Sequence, residues 1–199
     1  MPEKYAKELA LLRKLPGVFK TQDVRKLKIH TRNLYSMVSS GLLEKISRGT
    51  YRLPGLPQQN PDIVNVAIRV PKGVICLISA LAYHGITTQI PREVYLAAAR
   101  GTETPRLDYP PIRLFRFSKE ALNSGIEPHT IDGVPVKIYN PEKTLADCFK
   151  FRAAVGLDTT LEALKMYLHR KDKNISRLIG YAKICRVENV MRPYLESLL

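Results

Sequence analysis

Residues 21–54 read TQDVRKLKIHTRNLYSMVSSGLLEKISRGTYRLP. Two short helices, a tight turn between them and a basic two-stranded hairpin account for this order of residues. Thr21 is placed to cap the first helix through its side-chain oxygen, and Asp23 suits the positive helix end. Val24 and Leu27 give that helix its inward side. Ile29-His30 makes the turn, and Thr31 is placed to cap the second helix. In that helix Leu34, Met37 and Val38 share one side at i, i+3, i+4 spacing. The opposite side presents Arg32, Tyr35, Ser36 and Ser39, with Asn33 at its margin. Gly41 stands where a helix needs a left-handed residue to stop. Leu42 to Pro54 then alternates as a hairpin does, with Leu43 and Ile46 before a Ser47-Arg48-Gly49 turn and Tyr51 and Leu53 after it.

A helix-turn-helix followed by a hairpin with arginine at its tip predicts a winged helix. The second helix of such a unit lies in the DNA major groove, where Arg holds guanine and Asn adenine by paired hydrogen bonds. Arg32, Asn33, Tyr35, Ser36 and Ser39 are therefore the expected base-facing residues. Lys26, Lys28, Thr31, Lys45, Arg48 and Arg52 are expected on phosphates or in the adjoining minor groove. A small helical domain with a solvated polar face is the plainer alternative, but capping, spacing, wing and charge agree on DNA.

Upstream, residues 4–15 are expected to form one helix with Tyr5, Leu9, Leu12 and Leu15 inward, ended by Pro16-Gly17. Val18 and Phe19 fit a short extended piece beside the wing. Downstream, LPGLPQQNPD has the composition of a linker, which places a domain boundary near residue 58 and divides the chain into 1–57 and 58–199. The second part is expected to be a mixed α/β domain ending in a helical bundle, so the whole chain is α+β. A helix over Leu77–His84 is stopped by Gly85, and strands cover Val94–Ala98 and Ile112–Phe117. A hairpin turns at Asp132-Gly133. Asn140-Pro141-Glu142 supplies cap, first-turn proline and acid for a further helix with Leu145, Cys148 and Phe149 on its apolar side. Three helices close the chain, marked by Leu161, Leu164 and Leu168; by Ile175, Leu178, Ile179 and Ala182; and by Val187, Val190, Met191 and Tyr194.

The chain of 199 residues is 45% hydrophobic and 25% charged, ordinary values for a globular protein. Its formal net charge of +14 is not ordinary. Residues 1–57 hold 12 Lys and Arg against 4 Asp and Glu, while the rest of the chain holds 20 against 14. That concentration points to a polyanionic partner, nucleic acid first. Cys76, Cys148 and Cys185 lie far apart among apolar residues, as buried free thiols of a reducing cytoplasm do. The charged N-terminus excludes a signal peptide, and no apolar run approaches the roughly 18 residues of a membrane span. A cytoplasmic protein without a membrane partner is expected.

Catalytic chemistry leaves little trace. His30, His84, His129 and His169 show no metal-ligand spacing, and no nucleotide-binding loop or nucleophile elbow is present. No metal, cofactor or catalytic residue is expected, and the protein is not expected to be an enzyme. His84, before a helix-ending glycine, fits a structural hydrogen bond. Asp132 and Lys137 resemble a nuclease acid–lysine pair only faintly, since an Asp-Gly turn and an edge-strand lysine explain both. Arg113 and Arg116, and the Arg170, Lys171 and Lys173 cluster, fit either a solvated face with a favourable helix-end charge or additional contact with DNA or an acidic partner.

Taken together, the chain resembles the AbiEi family of antitoxins. The resemblance rests on Gly17-Val18-Phe19-Lys20-Thr21, on Leu34 to Gly41, and on Ile46 through Pro54. In the second part it rests on Ser79-Ala80-Leu81 with His84-Gly85 and Thr87, and on Tyr139 through Cys148. It implies a bacterial transcriptional regulator of a type IV toxin–antitoxin, phage-defence system. The N-terminal domain would bind double-stranded DNA at repeats in its own promoter and repress the operon. The C-terminal domain would be the antitoxin, opposing a nucleotidyltransferase-like toxin directly or indirectly. Three alternatives stay open: a ligand-responsive winged-helix transcription factor without a toxin partner, a winged helix that docks proteins, and an enzyme.

Overall fold

In the computed structural model, which describes residues 2–198, the chain forms two units of mixed helix and sheet. The first runs as far as Arg69 and takes in Thr130–Pro135; the second comprises Val70–His129 and Val136 onward. The helix that follows the proline-rich linker therefore lies in the first unit, whereas the sequence places the boundary at 57/58.

A 3-10 turn over Pro2–Tyr5 leads into α1 (Ala6–Leu12). The regular helix is thus shorter than the expected 4–15. Its end tightens instead, with the Lys14 and Leu15 amides donating three residues back before Pro16. β1 (Val18–Lys20), α2 (Thr21–Lys26), α3 (Thr31–Ser39), β2 (Glu44–Ser47) and β3 (Thr50–Arg52) follow. The three strands form an antiparallel sheet in the order β1-β3-β2, pairing Phe19 with Tyr51 and Glu44 with Arg52.

Both helix starts differ by one residue from the sequence expectation. Lys20, not Thr21, is the N-cap of α2, and the Asp23 carboxylate reaches back to the Lys20 amide at 3.0 Å. Thr21 is instead bound to the turn that follows β2, its amide and hydroxyl both donating to the Gly49 carbonyl at 2.9 and 3.3 Å. His30, not Thr31, caps α3: its Nδ1 accepts from the Arg32 amide at 3.1 Å. A neutral imidazole nitrogen can fill an N-cap role that side-chain oxygens usually take.

The helix ends are two Schellman turns. In α3 the Gly41 and Leu42 amides donate to the Val38 and Met37 carbonyls, with Gly41 at φ +73°. In α2 the Lys28 and Ile29 amides donate to Arg25 and Val24, so Lys28 rather than Ile29-His30 carries the turn at φ +58°. Ile29 then folds back into the core beside Val24. Leu12, Val24, Leu34 and Met37 are completely buried there, packed with Phe19, Leu43 and Tyr51. α4 (Pro61–Arg69) completes this part, its Arg69 guanidinium donating to the Ile46 carbonyl.

The second unit is built on a five-stranded mixed sheet in the order β6-β5-β4-β8-β7, with β4 at Val74–Ile75 at its centre. α5 (Leu77–Tyr83) ends at Gly85 with φ +65°, and β5 (Val94–Ala99) pairs antiparallel with β4. β6 (Ile112–Phe117) runs parallel to β5, and α6 (Lys119–Asn123) precedes the hairpin of β7 (Ile126–Ile131) and β8 (Val134–Tyr139). α7 (Pro141–Lys150) begins as its sequence dictates, with the Asn140 Oδ1 accepting from the Lys143 amide at 2.8 Å and Pro141 in the first turn. Apart from half-buried Pro141 and Lys150, the helix is buried all round. α8 (Arg152–Val155), α9 (Leu157–Leu168), α10 (Ile175–Cys185) and α11 (Glu188–Glu196) complete the unit, their apolar stripes meeting one core that includes Leu145, Phe149, Leu164, Leu178 and Met191.

The hairpin tip turns through Asp132 and Gly133, both at positive φ, as a two-residue turn of this kind requires. Within the first unit the Val18 amide donates to the Asp132 carbonyl and the Gln59 amide to its carboxylate, each at 3.0 Å. A Cβ on Gly133 would lie 2.3 Å from the Pro16 Cβ, at φ +81°. Gly133→Ala is therefore expected to destabilise by about 1–3 kcal/mol. Thermal unfolding followed by circular dichroism checks this, with a midpoint lowered by about 2–4 °C for each kcal/mol.

Candidate nucleic-acid interface

α3 is divided cleanly. Leu34 and Met37 are fully buried, whereas Arg32, Tyr35, Ser36 and Ser39 are exposed, Tyr35 by 58%. Ser39 donates to the Tyr35 carbonyl at 3.0 Å, a bond within its own helix. Asn33 is half-buried against α1, its Nδ2 donating to the Glu8 Oε1 at 3.1 Å. Ser36 accepts from the Tyr5 hydroxyl at 2.7 Å. Thr31, half-buried, opens the helix one residue after its cap.

The basic residues fall into two groups. Arg32, Lys28, Lys45 and Arg48 are exposed and form no salt bridge among the described residues. Arg48 stands in the turn between β2 and β3, at the tip of the hairpin. Lys26 lies 3.5 Å from Asp23 but remains 77% exposed, a pair worth little in water. Arg52 is different. Its guanidinium donates to the facing Glu44 carboxylate at 2.6 Å and to the Gln58 side-chain oxygen at 2.7 Å. The cross-strand register sets this pairing, which braces the hairpin. Arg25 and Lys20, exposed beside α2, add positive charge that the sequence-level residue set omits.

In the second unit the densest polar chemistry is internal. Lys143 and Asp147 form a fully buried ion pair at 2.5 Å. The Lys143 Nζ also lies 4.1 Å from the centre of the Tyr139 ring, and the Asp147 Oδ1 accepts from the Cys185 thiol at 3.2 Å. Burial holds the Asp147 carboxyl above the ordinary carboxylate range, against the lowering effect of the Lys143 ammonium. Burial likewise raises the thiols of Cys76 and Cys148, and that of Cys185 to about 12. The cysteines are free and buried, as their apolar flanks predict. Among the described residues no group of three or more His, Cys, Asp or Glu is placed to hold a metal.

His84 bonds through Nε2 to the Tyr139 carbonyl at 2.7 Å, in agreement with a structural role; burial lowers its pKa. Asp132 is occupied by backbone amides at the hairpin tip. The Lys173 ammonium donates to the Leu168 carbonyl at the end of α9, and Arg170 forks onto Asp172, drawing its carboxyl down to about 2. Arg113 bonds to Glu93 and the Tyr95 hydroxyl, and Arg116 to the Thr102 carbonyl. Arg113, Arg116, Arg170 and Lys173 thus have partners within the unit.

Residues 7–54, which hold α1 through the hairpin, match the family model described as a transcriptional regulator, AbiEi antitoxin. That segment therefore carries the signature of AbiEi antitoxin regulators. The crystal structure of the RV2827C protein from Mycobacterium tuberculosis is similar to the chain at a TM-score of 0.61 and 13% identity, over 98% of this chain and 82% of that one. At this identity the likeness is one of fold. No curated protein matches the chain. No helix among the described residues is long and apolar enough to cross a membrane.

Lys143→Met, which leaves Asp147 buried without its ammonium, is expected to cost about 3–5 kcal/mol at neutral pH. A carboxyl whose pKa is raised by folding is most favourable to the folded state when protonated. Its penalty therefore appears as pH rises from the unfolded value through the folded one, and lifts as pH falls. Urea denaturation of Lys143→Met and the unmodified chain at neutral and mildly acidic pH checks both statements, with the gap expected to narrow in acid.

Proposed function

We propose that the protein is a DNA-binding transcriptional autorepressor and antitoxin of a type IV toxin–antitoxin, phage-defence system, acting in the cytoplasm. The observation that carries this is the exposed polar row of α3, Arg32, Tyr35, Ser36 and Ser39, inside the segment that matches AbiEi antitoxin regulators. In this proposal α2 and α3 form the helix-turn-helix of a winged helix, and β2–β3 is its wing. α3 enters the major groove of repeats upstream of the protein's own gene, while Lys28, Lys45 and Arg48 neutralise phosphates. Arg52 supports the wing and Lys26 contributes charge.

The second unit is the antitoxin portion, closed by a bundle of helices and opposing a nucleotidyltransferase-like toxin without catalysis of its own. Its buried Lys143–Asp147 pair is consistent with a structural role, since a fully buried pair meets no substrate. A second reading, a ligand-responsive regulator, draws support from an open cleft of about 530 Å³ in this unit, where Ile78, Ile90 and Pro111 stand beside Arg92 and Glu93. Titrating the purified chain with candidate small molecules while following its DNA binding separates the two.

Two substitutions test the DNA interface. Arg48→Ala is expected to weaken binding to the protein's upstream DNA and to scrambled duplex alike, and to flatten the salt dependence by about one unit of slope. Arg32→Ala is expected to cost about 1–3 kcal/mol and mainly to relax sequence preference. Fluorescence anisotropy across a salt series reads both. Equal loss on both duplexes for Arg32→Ala removes it from the base-reading set.

A further inference from the structure

Two residues of α1 and its leading turn, Tyr5 and Glu8, touch the face of α3 that the DNA proposal uses. Glu8 carries the charge that phosphates repel, so it is no natural nucleic-acid contact. Yet the Glu8 Oε1 accepts from the Asn33 Nδ2 at 3.1 Å, and the hydroxyl of the buried residue Tyr5 donates to the Ser36 Oγ at 2.7 Å. These contacts link positions 25 and 31 residues apart in the chain.

The chemistry of each bond fixes a direction. A carboxylate only accepts, so the Asn33 amide must turn its nitrogen towards Glu8. One N–H is then committed, which leaves Oδ1 and the second N–H for another partner. An acceptor beside a donor on one planar amide complements the N6 and N7 edge of adenine in the major groove. Without Glu8 both flips of the amide are open, and the order of donor and acceptor is no longer set. Ser36 accepts from the more acidic phenol of Tyr5, so its own proton is left to donate to a base acceptor or a phosphate oxygen.

We infer that α1 sets the hydrogen-bond polarity of the reading face, with Glu8 as the positioning residue for Asn33 and Tyr5 for Ser36. This rests on the proposal that α3 reads DNA, and it identifies adenine as the base that Asn33 recognises.

The test exposes the full chain to a pool of randomised duplexes and sequences the bound fraction, for the unmodified protein and for Glu8→Ala, Glu8→Gln and Asn33→Ala. The unmodified chain is expected to select a motif containing an adenine whose preference falls about 5- to 150-fold in Asn33→Ala. Glu8→Ala is expected to lose preference at the same base pair, with no loss of affinity for scrambled duplex, because an anion has been removed. Glu8→Gln, whose amide can donate as well as accept, no longer fixes the flip of Asn33 and is expected to lose part of that preference. Thermal unfolding confirms that each variant is folded. An unchanged profile for Glu8→Ala, or a uniform loss on every sequence, overturns the positioning role alone. An unmodified chain that selects no sequence overturns the DNA-reading function and this inference with it.

Discussion

The burial of Leu34 and Met37 on one side of α3 is the constraint on which the N-terminal unit depends. Both are completely enclosed, among Val24, Leu43 and Tyr51, so the helix has one orientation available to it. Rotating it by even one residue would expose these side chains and bury Arg32 or Tyr35. Fixing the apolar side therefore fixes the polar one, and the row Arg32, Tyr35, Ser36, Ser39 is presented to solvent as a consequence. The two Schellman turns reinforce this by setting where each helix stops, and the Thr21–Gly49 bonds tie the hairpin turn to the start of α2.

Periodicity and turn chemistry made much of the fold legible in the sequence. Leu34 and Met37 at i and i+3, Gly41 beyond the helix, the strand at Ile112–Phe117 and the Asn140-Pro141 helix start all follow from local rules, and the structure has them where those rules put them. The caps stand one residue before the places their sequence suggests, because Thr21 and Thr31 fit the usual N-cap preference while Lys20 and His30 do not. The details of the interface were less legible for a different reason: they are set at long range. Arg52 faces Glu44 only once the strand register exists, and Asn33 meets Glu8 only once α1 has docked. A count of basic residues sees neither.

The second unit shows the same limit in its core. Lys143 and Asp147, four residues apart, have the spacing of an ordinary exposed helix pair, yet both are fully buried. What distinguishes them is tertiary: Tyr139, Phe117 and Cys185 surround the pair and replace water with an aromatic face and a thiol donor. The segment Tyr139–Cys148, which carries part of the family resemblance, thereby reads as a folding element in which Asn140, Lys143, Thr144 and Asp147 find their partners internally, while the buried Glu142 Oε2 makes no hydrogen bond among the described residues and lies 3.8 Å from the Arg177 Nε. Ser79 acts similarly, accepting from the Tyr95 amide and so holding the start of α5 against β5.

Whether the polar side of α3 reads DNA sequence is decided by one binding series. The full chain is titrated against its own upstream DNA and a scrambled duplex of equal length, from low to physiological salt. Base reading by α3 requires tighter binding to the upstream DNA throughout, with affinity for both duplexes falling steeply as salt rises. Equal affinity for the two duplexes at every salt concentration would contradict it.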